Sequence, residues 1–349
     1  MKNYYCPQCE ARVFFSNTVC LSCHTQLGFD IESLEMVALA AGSNTTAYRA
    51  CQNYSQHATC NWTLPSDSPR SLCCSCQLTE TIPNLAHPEN KVAWAKIEDA
   101  KRRLVYNLNR LGLRPQPRSK TSPNGLVFRF LADSPEPEAP PVLTGHASGV
   151  VTLNIAEAND AERERRRTAL GEPYRTLLGH LRHEVGHYYW DILVEDSQRD
   201  AFRSLFGDET VDYGEALKKH YANGAPANWS KTHISSYATA HAWEDWAETW
   251  AHYLHMMDAI GTAIYSSVNI AKSHKQDPTF YHRRIDPTRF DSIIKAWPAL
   301  ACLINSFNRS LGTPDAYPFV TAPPVAEKLR FIHELIQQHV KNSNKPRTP

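Results

Sequence analysis

No apolar run in this chain of 349 residues reaches the roughly 18 that a membrane-spanning helix needs, so no membrane partner is expected. The first residues, Met1 to Cys6, contain no apolar stretch of the kind a secretory signal carries, and the cytoplasm is the expected compartment. Charge of one sign is also missing. Against 37 Lys and Arg stand 36 Asp and Glu, a net charge of +1, so nothing global favours nucleic acid or an anionic membrane. Cysteine is almost absent from most of the chain: of ten, only Cys302 follows residue 76. Disorder is excluded by a hydrophobic content of 42%, and the length accommodates two or three domains.

The crowding of cysteine into the first 76 residues points to metal rather than disulfides in such a compartment. Cys6 and Cys9 form one C-x-x-C knuckle, and Cys20 and Cys23 form a second ten residues later. Four thiolates so spaced make a zinc ribbon, in which the metal replaces a core too small to fold alone. His24, beside the second knuckle, reads as a solvated neighbour. Cys73 and Cys76 form another knuckle, and Cys51 and Cys60, separated by eight residues, can complete a second set of four. Cys74 is then the spare, and His57 is a substitute that four thiolates make unnecessary. Closed four-thiolate sites have no open position, so both zincs are expected to be structural. The stretch from Phe29 to Tyr48 reads as connecting structure. Lys2, Arg12, Arg49 and Arg70 are scattered, without the basic and aromatic interleaving of a nucleic-acid surface. A protein partner docking on the ribbons is therefore preferred to nucleic acid.

Further on, His183-Glu184-Val185-Gly186-His187 is an H-E-x-x-H motif. Residues four apart share a helix face, so His183 and His187 can offer two imidazoles to one metal ion, with Glu184 beside that face. Leu177, Leu178, Leu181, Val185 and Tyr188 give the same helix an apolar side. Two neutral imidazoles and an open position suit zinc. A bound zinc lowers the pKa of its water to about 7, and an adjacent carboxylate can take the proton.

The segments between frame that helix. Periodicity predicts a helix over 88–113, with Trp94, Ile97, Leu104, Leu108 and Leu111 inward and Lys101, Arg102 and Arg103 as a solvated face. Residues 114–124 read as a proline-containing linker. Residues 125–131 and 148–155 read as two strands of a hairpin, placed where an edge strand could pair with extended peptide. Asp160 to Arg167 reads as a solvated helical face.

A third ligand is sought after the motif. A histidine at the H-E-x-x-H-x-x-G-x-x-H spacing is excluded, because Trp190 and Leu193 stand where that Gly and His would be. His241 to His255 reads as a second helix with Trp243, Trp246, Ala247, Trp250 and Leu254 as its apolar stripe. Glu244 and Glu248 share one face. One can complete a site of two His and one Glu, while the other accepts a proton from the non-ligating nitrogen of a ligand His. Asp245 is expected to be exposed, and His252 and His255 are weaker ligand candidates. Towards the end, 293–297 and 325–340 read as helices, 341–349 as a frayed tail, and Cys302 as a buried core thiol.

These motifs together resemble a family of bacterial zinc-binding metallopeptidases with an N-terminal zinc ribbon, grouped with the gluzincins and similar at the active site to the lethal-factor type. The resemblance spans most of the chain, including Asn61-Trp62, Thr81 to Asn84, Gly149 to Asn154, Glu172 to Gly179, His183 to Trp190 and Trp243 to His255. It implies an α+β, mostly helical gluzincin-like catalytic domain with a small sheet over residues 86–349, after a tandem zinc-ribbon module over 1–85. It implies Glu244 as the third ligand, Glu248 as the carboxylate behind a ligand His, and Tyr237 as a donor to the developing oxyanion. One catalytic and two structural zincs are then expected, with a peptide or protein as substrate and Glu184 as the base. Ala242 departs from the family pattern, where a proline is expected. The alternative is a non-catalytic ribbon adaptor, or a nucleic-acid-associated protein, on a zincin scaffold.

Overall fold

The computed structural model describes residues 2–39, 47–134, 136, 138, 140–169, 175–268 and 285–343. By contacts the chain divides into two compact units. Lys2–Arg110 and Arg114–Arg166 form one; Leu111–Leu113 and the described part of Arg167–Pro349 form the other. The segment after residue 86 thus contributes to both units, and the ribbons share theirs with its first 80 or so residues.

The first unit opens with three two-stranded antiparallel pairs. They are β1 (Tyr4–Tyr5) with β2 (Arg12–Val13), β3 (Leu27–Asp30) with β4 (Glu35–Ala38), and β5 (Tyr48–Ala50) with β6 (Thr63–Pro65), the last enclosing helix α1 (Gln52–His57). The β3–β4 pair corrects the reading of Phe29 to Tyr48 as connecting structure. Phe29 is fully buried, and its ring centroid lies 4.8 Å from Phe15, 5.5 Å from Trp62 and 5.8 Å from Tyr106. These rings supply the apolar area that two small zinc modules lack.

Tyr106 belongs to α2 (Pro88–Arg110), so that helix shares a core with the ribbons. This burial overturns the solvated face expected at Lys101 and Arg102. Lys101 pairs with Glu98 at 2.8 Å with both side chains fully buried, and Arg102 reaches the Thr59 carbonyl. Burial works against the charge of Arg102. Cys60, Glu98 and Asp99 beside it more than offset this and hold its pKa above the ordinary arginine range. A charge run on a helix reads as solvated from sequence; here a thiolate cluster supplies the countercharge.

A four-stranded sheet completes the unit, in the order β7 (Thr79–Thr81), β8 (Val127–Leu131), β10 (Val150–Asn154), β9 (Gly145–Ala147). β8 and β10 pair in parallel, Val127 opposite Val150 through Leu131 opposite Asn154, not as the expected hairpin. The hairpin partner of β10 is β9. Ser148 and Gly149 join them with φ of 47° and 79°, the left-handed pair that a tight two-residue turn requires. The connection back from β8 is pinned by Asp133, whose Oδ1 accepts from the Val142 N–H at 2.7 Å and the Asn154 amide at 2.9 Å. Helix α3 (Asp160–Ala169) follows and is held by ion pairs within its own turns, such as Arg165–Glu162 at 2.7 Å.

The second unit is helical among its described residues: α4 (Leu177–Leu193), α5 (Arg199–Phe206), α6 (Tyr213–Asn223), α7 (Ala242–Tyr265), α8 (Phe290–Ser310) and α9 (Pro323–Ser343). The mixed α+β, mainly helical class with small sheets agrees with the sequence reading. Cys302 on α8 is exposed, so it is no core thiol. Residues 344–349 of the expected tail, and part of the 172–179 stretch, lie outside the described residues. Among the described residues no helix is long and apolar enough to cross a membrane.

Candidate metal centre

Two buried helices build the centre. Thr176 caps α4 by accepting the Gly179 N–H at 3.0 Å. Leu177, Leu181, Val185 and Tyr188, spaced at three and four, are all buried along one side. Helix α7 is capped by His241, whose Nδ1 accepts the Trp243 N–H at 3.0 Å while Nε2 lies 3.0 Å from the Val211 carbonyl. That second contact makes Nε2 the protonated nitrogen, since a carbonyl can only accept.

The two helices approach closely at Gly186. An added Cβ there would stand 3.0 Å from the Ala247 Cα and 3.1 Å from the Trp250 ring. Trp246 donates its Nε1–H to the Gly186 carbonyl at 2.8 Å. The glycine inside the motif is thus a packing position that brings the carboxylates of α7 to the imidazoles of α4.

His183, His187 and Glu244 come together with ligand atoms all within 4.8 Å of one another. His183 Nε2 is 3.0 Å from Glu244 Oε2, and His187 Nε2 is 3.6 Å from Oε1. Tetrahedral bonds of 2.0–2.1 Å place ligand atoms about 3.3 Å apart, so these separations fit a zinc ion. The charges fit as well. Burial disfavours a proton on His183, but Glu244 and Glu248 at its two nitrogens outweigh it and raise its pKa well above the ordinary value. A neutral imidazole nitrogen and a carboxylate oxygen at 3.0 Å would otherwise present lone pairs to each other. The pair needs a cation between them, a proton or a metal ion. Burial keeps His187 on the neutral side. Burial opposes ionisation of Glu244, yet His183, His187 and Tyr213 bring its pKa down to about 2.

Glu248 Oε1 stands 2.7 Å from His183 Nδ1, the nitrogen that faces away from Glu244. Ser235 also hydrogen-bonds Glu248, and with His183 it holds the half-buried carboxyl below the usual range against the cost of its burial. Glu184 lies one position from His183, buried, with Oε1 3.1 Å from His180 Nε2. Burial raises its pKa, but His180, His183 and His187 pull it below the ordinary range. Tyr237 occupies a short turn before α7, its ring 6.0 Å from that of His183. Burial and the Glu244 charge raise its phenol far above the ordinary value, so it remains a proton donor.

Asp245 is buried, not exposed. Lys328 from α9 pairs with it at 2.5 Å, and His233 Nε2 lies 3.7 Å away. Burial pushes its pKa up to about 7 against the pull of Lys328. His252 and His255 take other partners: the Tyr317 hydroxyl at 2.8 Å and Arg182 at 2.6 Å. Three polar residues around the centre had escaped the sequence reading. His180 was visible, four before Glu184 on the same face. Tyr213 donates to Glu244 Oε1 at 2.7 Å and Ser235 supports Glu248, but neither has a spacing that announces it.

In the first unit, Cys6, Cys9, Cys20 and Cys23 form one cluster, and Cys51, Cys60, Cys73 and Cys76 another. Sulfur separations are 3.6 Å for Cys6–Cys23, 3.7 Å for Cys9–Cys20 and 3.8 Å for Cys60–Cys73. Four Zn–S bonds of 2.3 Å in a tetrahedron give edges of about 3.8 Å, whereas a disulfide needs about 2.05 Å. The clusters are shaped for tetrahedral metal. Cys74 and His57 stand outside the second cluster, and His24 outside the first; the His57 ring packs 5.4 Å from Trp94.

Comparison with known proteins places these sites in context. A family model described as "Putative zinc-binding metallo-peptidase" matches residues 90–335, and a zinc-ribbon domain model matches residues 3–87. Proteins of Mycobacterium bovis and of two Mycobacterium tuberculosis strains, each bearing the name "uncharacterized protein", are 42% identical over 340 residues, which is 97% of this chain and 96% of theirs. No solved structure matches the chain.

Proposed function

This chain belongs to the zinc-binding metallo-peptidase family, and from that membership we propose that it is a zinc-dependent endopeptidase. Residues 86–349 would be the catalytic domain and residues 1–85 a ribbon module that docks a protein partner. The observation that carries the reading is the buried Glu184 carboxylate beside the His183, His187 and Glu244 cluster. A cluster that only stabilised the fold would have no use for a further buried carboxylate beside it, held by His180.

His183, His187 and Glu244 would hold the ion. Zinc bound there supplies a Lewis acid for the scissile carbonyl and makes water acidic enough to ionise near neutral pH. Glu184 accepts one proton from the attacking water as its oxygen bonds to the carbonyl carbon. The Tyr237 hydroxyl donates a hydrogen bond to the carbonyl oxygen as negative charge gathers on it. Glu184 then returns its proton to the amide nitrogen, the carbon–nitrogen bond breaks, and an acid and an amine leave. His180 keeps Glu184 oriented and ionised between turnovers. The eight clustered thiols suit a reducing compartment, the cytoplasm.

The test is cleavage of a mixed peptide library by the zinc-loaded full chain, read by mass spectrometry, with Glu184→Gln beside it. Cleavage at internal bonds by the wild type, reduced about 100-fold or more in the variant, is the expected result. Equal cleavage by both proteins would sink the proposed base. No cleavage by a wild type that retains zinc at the histidine site would turn the reading towards a scaffold.

A further inference from the structure

Helix α6, Tyr213–Asn223, has no fully buried residue. A helix of 11 residues with so little burial has scant stability of its own. Two side-chain hydrogen bonds, besides ring contacts, tie it to the segments around the centre. Tyr213 donates to Glu244 Oε1 at 2.7 Å, and His220 Nδ1 lies 3.3 Å from the Thr239 hydroxyl. Tyr213 is 40% exposed, yet its hydroxyl reaches a carboxylate that is 1% exposed. Its ring stands against His241, at 5.3 Å, and Trp243, at 6.3 Å.

We propose that Tyr213 is a positioning residue for the metal centre, and that through it the seating of α6 and the retention of zinc are coupled. The inference rests on Glu244 as a zinc ligand. A carboxylate at the end of a two-carbon stem can rotate about its last bond, presenting either oxygen. The Tyr213 hydroxyl engages Oε1, and Oε2 is left 3.0 Å from His183 Nε2. A partner that orients a ligand carboxylate in this way typically contributes about 10- to 100-fold in metal affinity. Coupling is reciprocal: whatever factor seated α6 contributes to zinc binding, bound zinc contributes to seating α6. No residue of α6 is fully buried, so this hydrogen bond to a buried carboxylate is a direct tie between the helix and the centre.

The experiment uses the full chain and measures zinc affinity at the histidine site by chelator competition. Wild type is compared with Tyr213→Phe, Tyr237→Phe and Glu244→Ala. Phenylalanine keeps the ring that packs on His241 and Trp243 and removes only the hydroxyl. Tyr213→Phe is expected to weaken this zinc by about 10- to 100-fold, with Tyr237→Phe close to wild type. In limited proteolysis, zinc is expected to slow cleavage within 207–224 in wild type and much less in Tyr213→Phe. Unchanged zinc affinity in Tyr213→Phe alongside lost zinc in Glu244→Ala overturns this inference alone. Lost turnover with intact zinc affinity in Tyr213→Phe also overturns it, by making the hydroxyl a group that acts on substrate. Retention of the zinc by Glu244→Ala overturns the ligand assignment beneath it.

Discussion

Glu248 holds the His183 ring from behind, its Oε1 2.7 Å from Nδ1, and thereby decides which nitrogen faces Glu244. A hydrogen on Nδ1 pointing at the carboxylate leaves the Nε2 lone pair for a metal ion. Glu248→Ala is expected to weaken zinc at this site by about 10- to 100-fold, because the ring loses both its tautomer and its orientation. Glu248→Gln keeps an acceptor oxygen and should fall between the two. Zinc titration of the three proteins checks the order, and equal affinities would remove Glu248 from the centre.

Gly186 makes a separate prediction, about packing. A methyl group there would meet the Ala247 Cα at 3.0 Å and the Trp250 ring at 3.1 Å. The first is backbone, which yields less readily than a side chain. Gly186→Ala should therefore destabilise the fold by about 1–3 kcal/mol, partly offset by the better helix propensity of alanine. Urea unfolding of the zinc-loaded protein measures this. A second effect should accompany it: spreading α4 from α7 separates Glu244 from both histidines, so zinc affinity should fall with stability. Lost stability with zinc affinity intact would mean the helices adjust without moving the ligands.

How much of this was legible in the sequence follows from where each partner sits along the chain. Cys6, Cys9, Cys20 and Cys23 lie within one short stretch, and ligand spacing there is dictated by local geometry. His183 and His187 lie one helical turn apart for the same reason, and so do Glu244 and Glu248. Tyr213 and Ser235 come from other segments and meet the carboxylates only through the packing of α6 and of the loop before α7. Lys328 is further still, 83 residues from Asp245, and nothing about a single Asp on a helix announces a buried partner. Lys101 and Arg102 misled for a complementary reason. A run of charges says how a face would behave in water, whereas these two lie where thiolates and Glu98 supply the opposite charge. The parallel pairing of β8 and β10 was hidden because two adjacent strands suggest a hairpin unless the short β9 between them is recognised.

The two cysteine clusters should respond differently to loss of a ligand. Metal analysis of the wild type is expected to approach three zinc per chain, one for each cluster, and Glu244→Ala to approach two. Cys9 is exposed, whereas Cys51, Cys60, Cys73 and Cys76 are all buried. The second cluster also borders Arg102, whose charge Cys60 and Cys76 help to balance. Cys9→Ser should therefore lose one zinc with the far-ultraviolet circular dichroism little changed. Cys60→Ser should lose one zinc and much of the folded unit, because it leaves a buried guanidinium with less countercharge. Equal stability of the two variants would argue that the clusters are equivalent.

Acid should destabilise the second unit through His252. Burial holds its pKa down to about 4 from the ordinary 6.5. The unfolded chain therefore binds a proton at this residue between those pH values while the folded chain does not, and stability falls as pH drops through the window. Asp245 works in the opposite direction. Burial raises its pKa to about 7, so the folded chain takes up a proton before the unfolded chain does, and its contribution grows as pH falls. The slope of wild-type stability against pH mixes these two with the other histidines whose pKa burial lowers, His233, His255 and His333 among them, but the difference from His252→Gln isolates one group. Glutamine has no proton to gain and can still hydrogen-bond the Tyr317 hydroxyl. Thermal melts from pH 7.5 to about 4.5, above the range where most carboxylates titrate, should show the variant losing less of its melting temperature than wild type. Parallel curves would mean that His252 is protonated in the folded chain as readily as in the unfolded one, and that the Tyr317 contact survives with a charged ring.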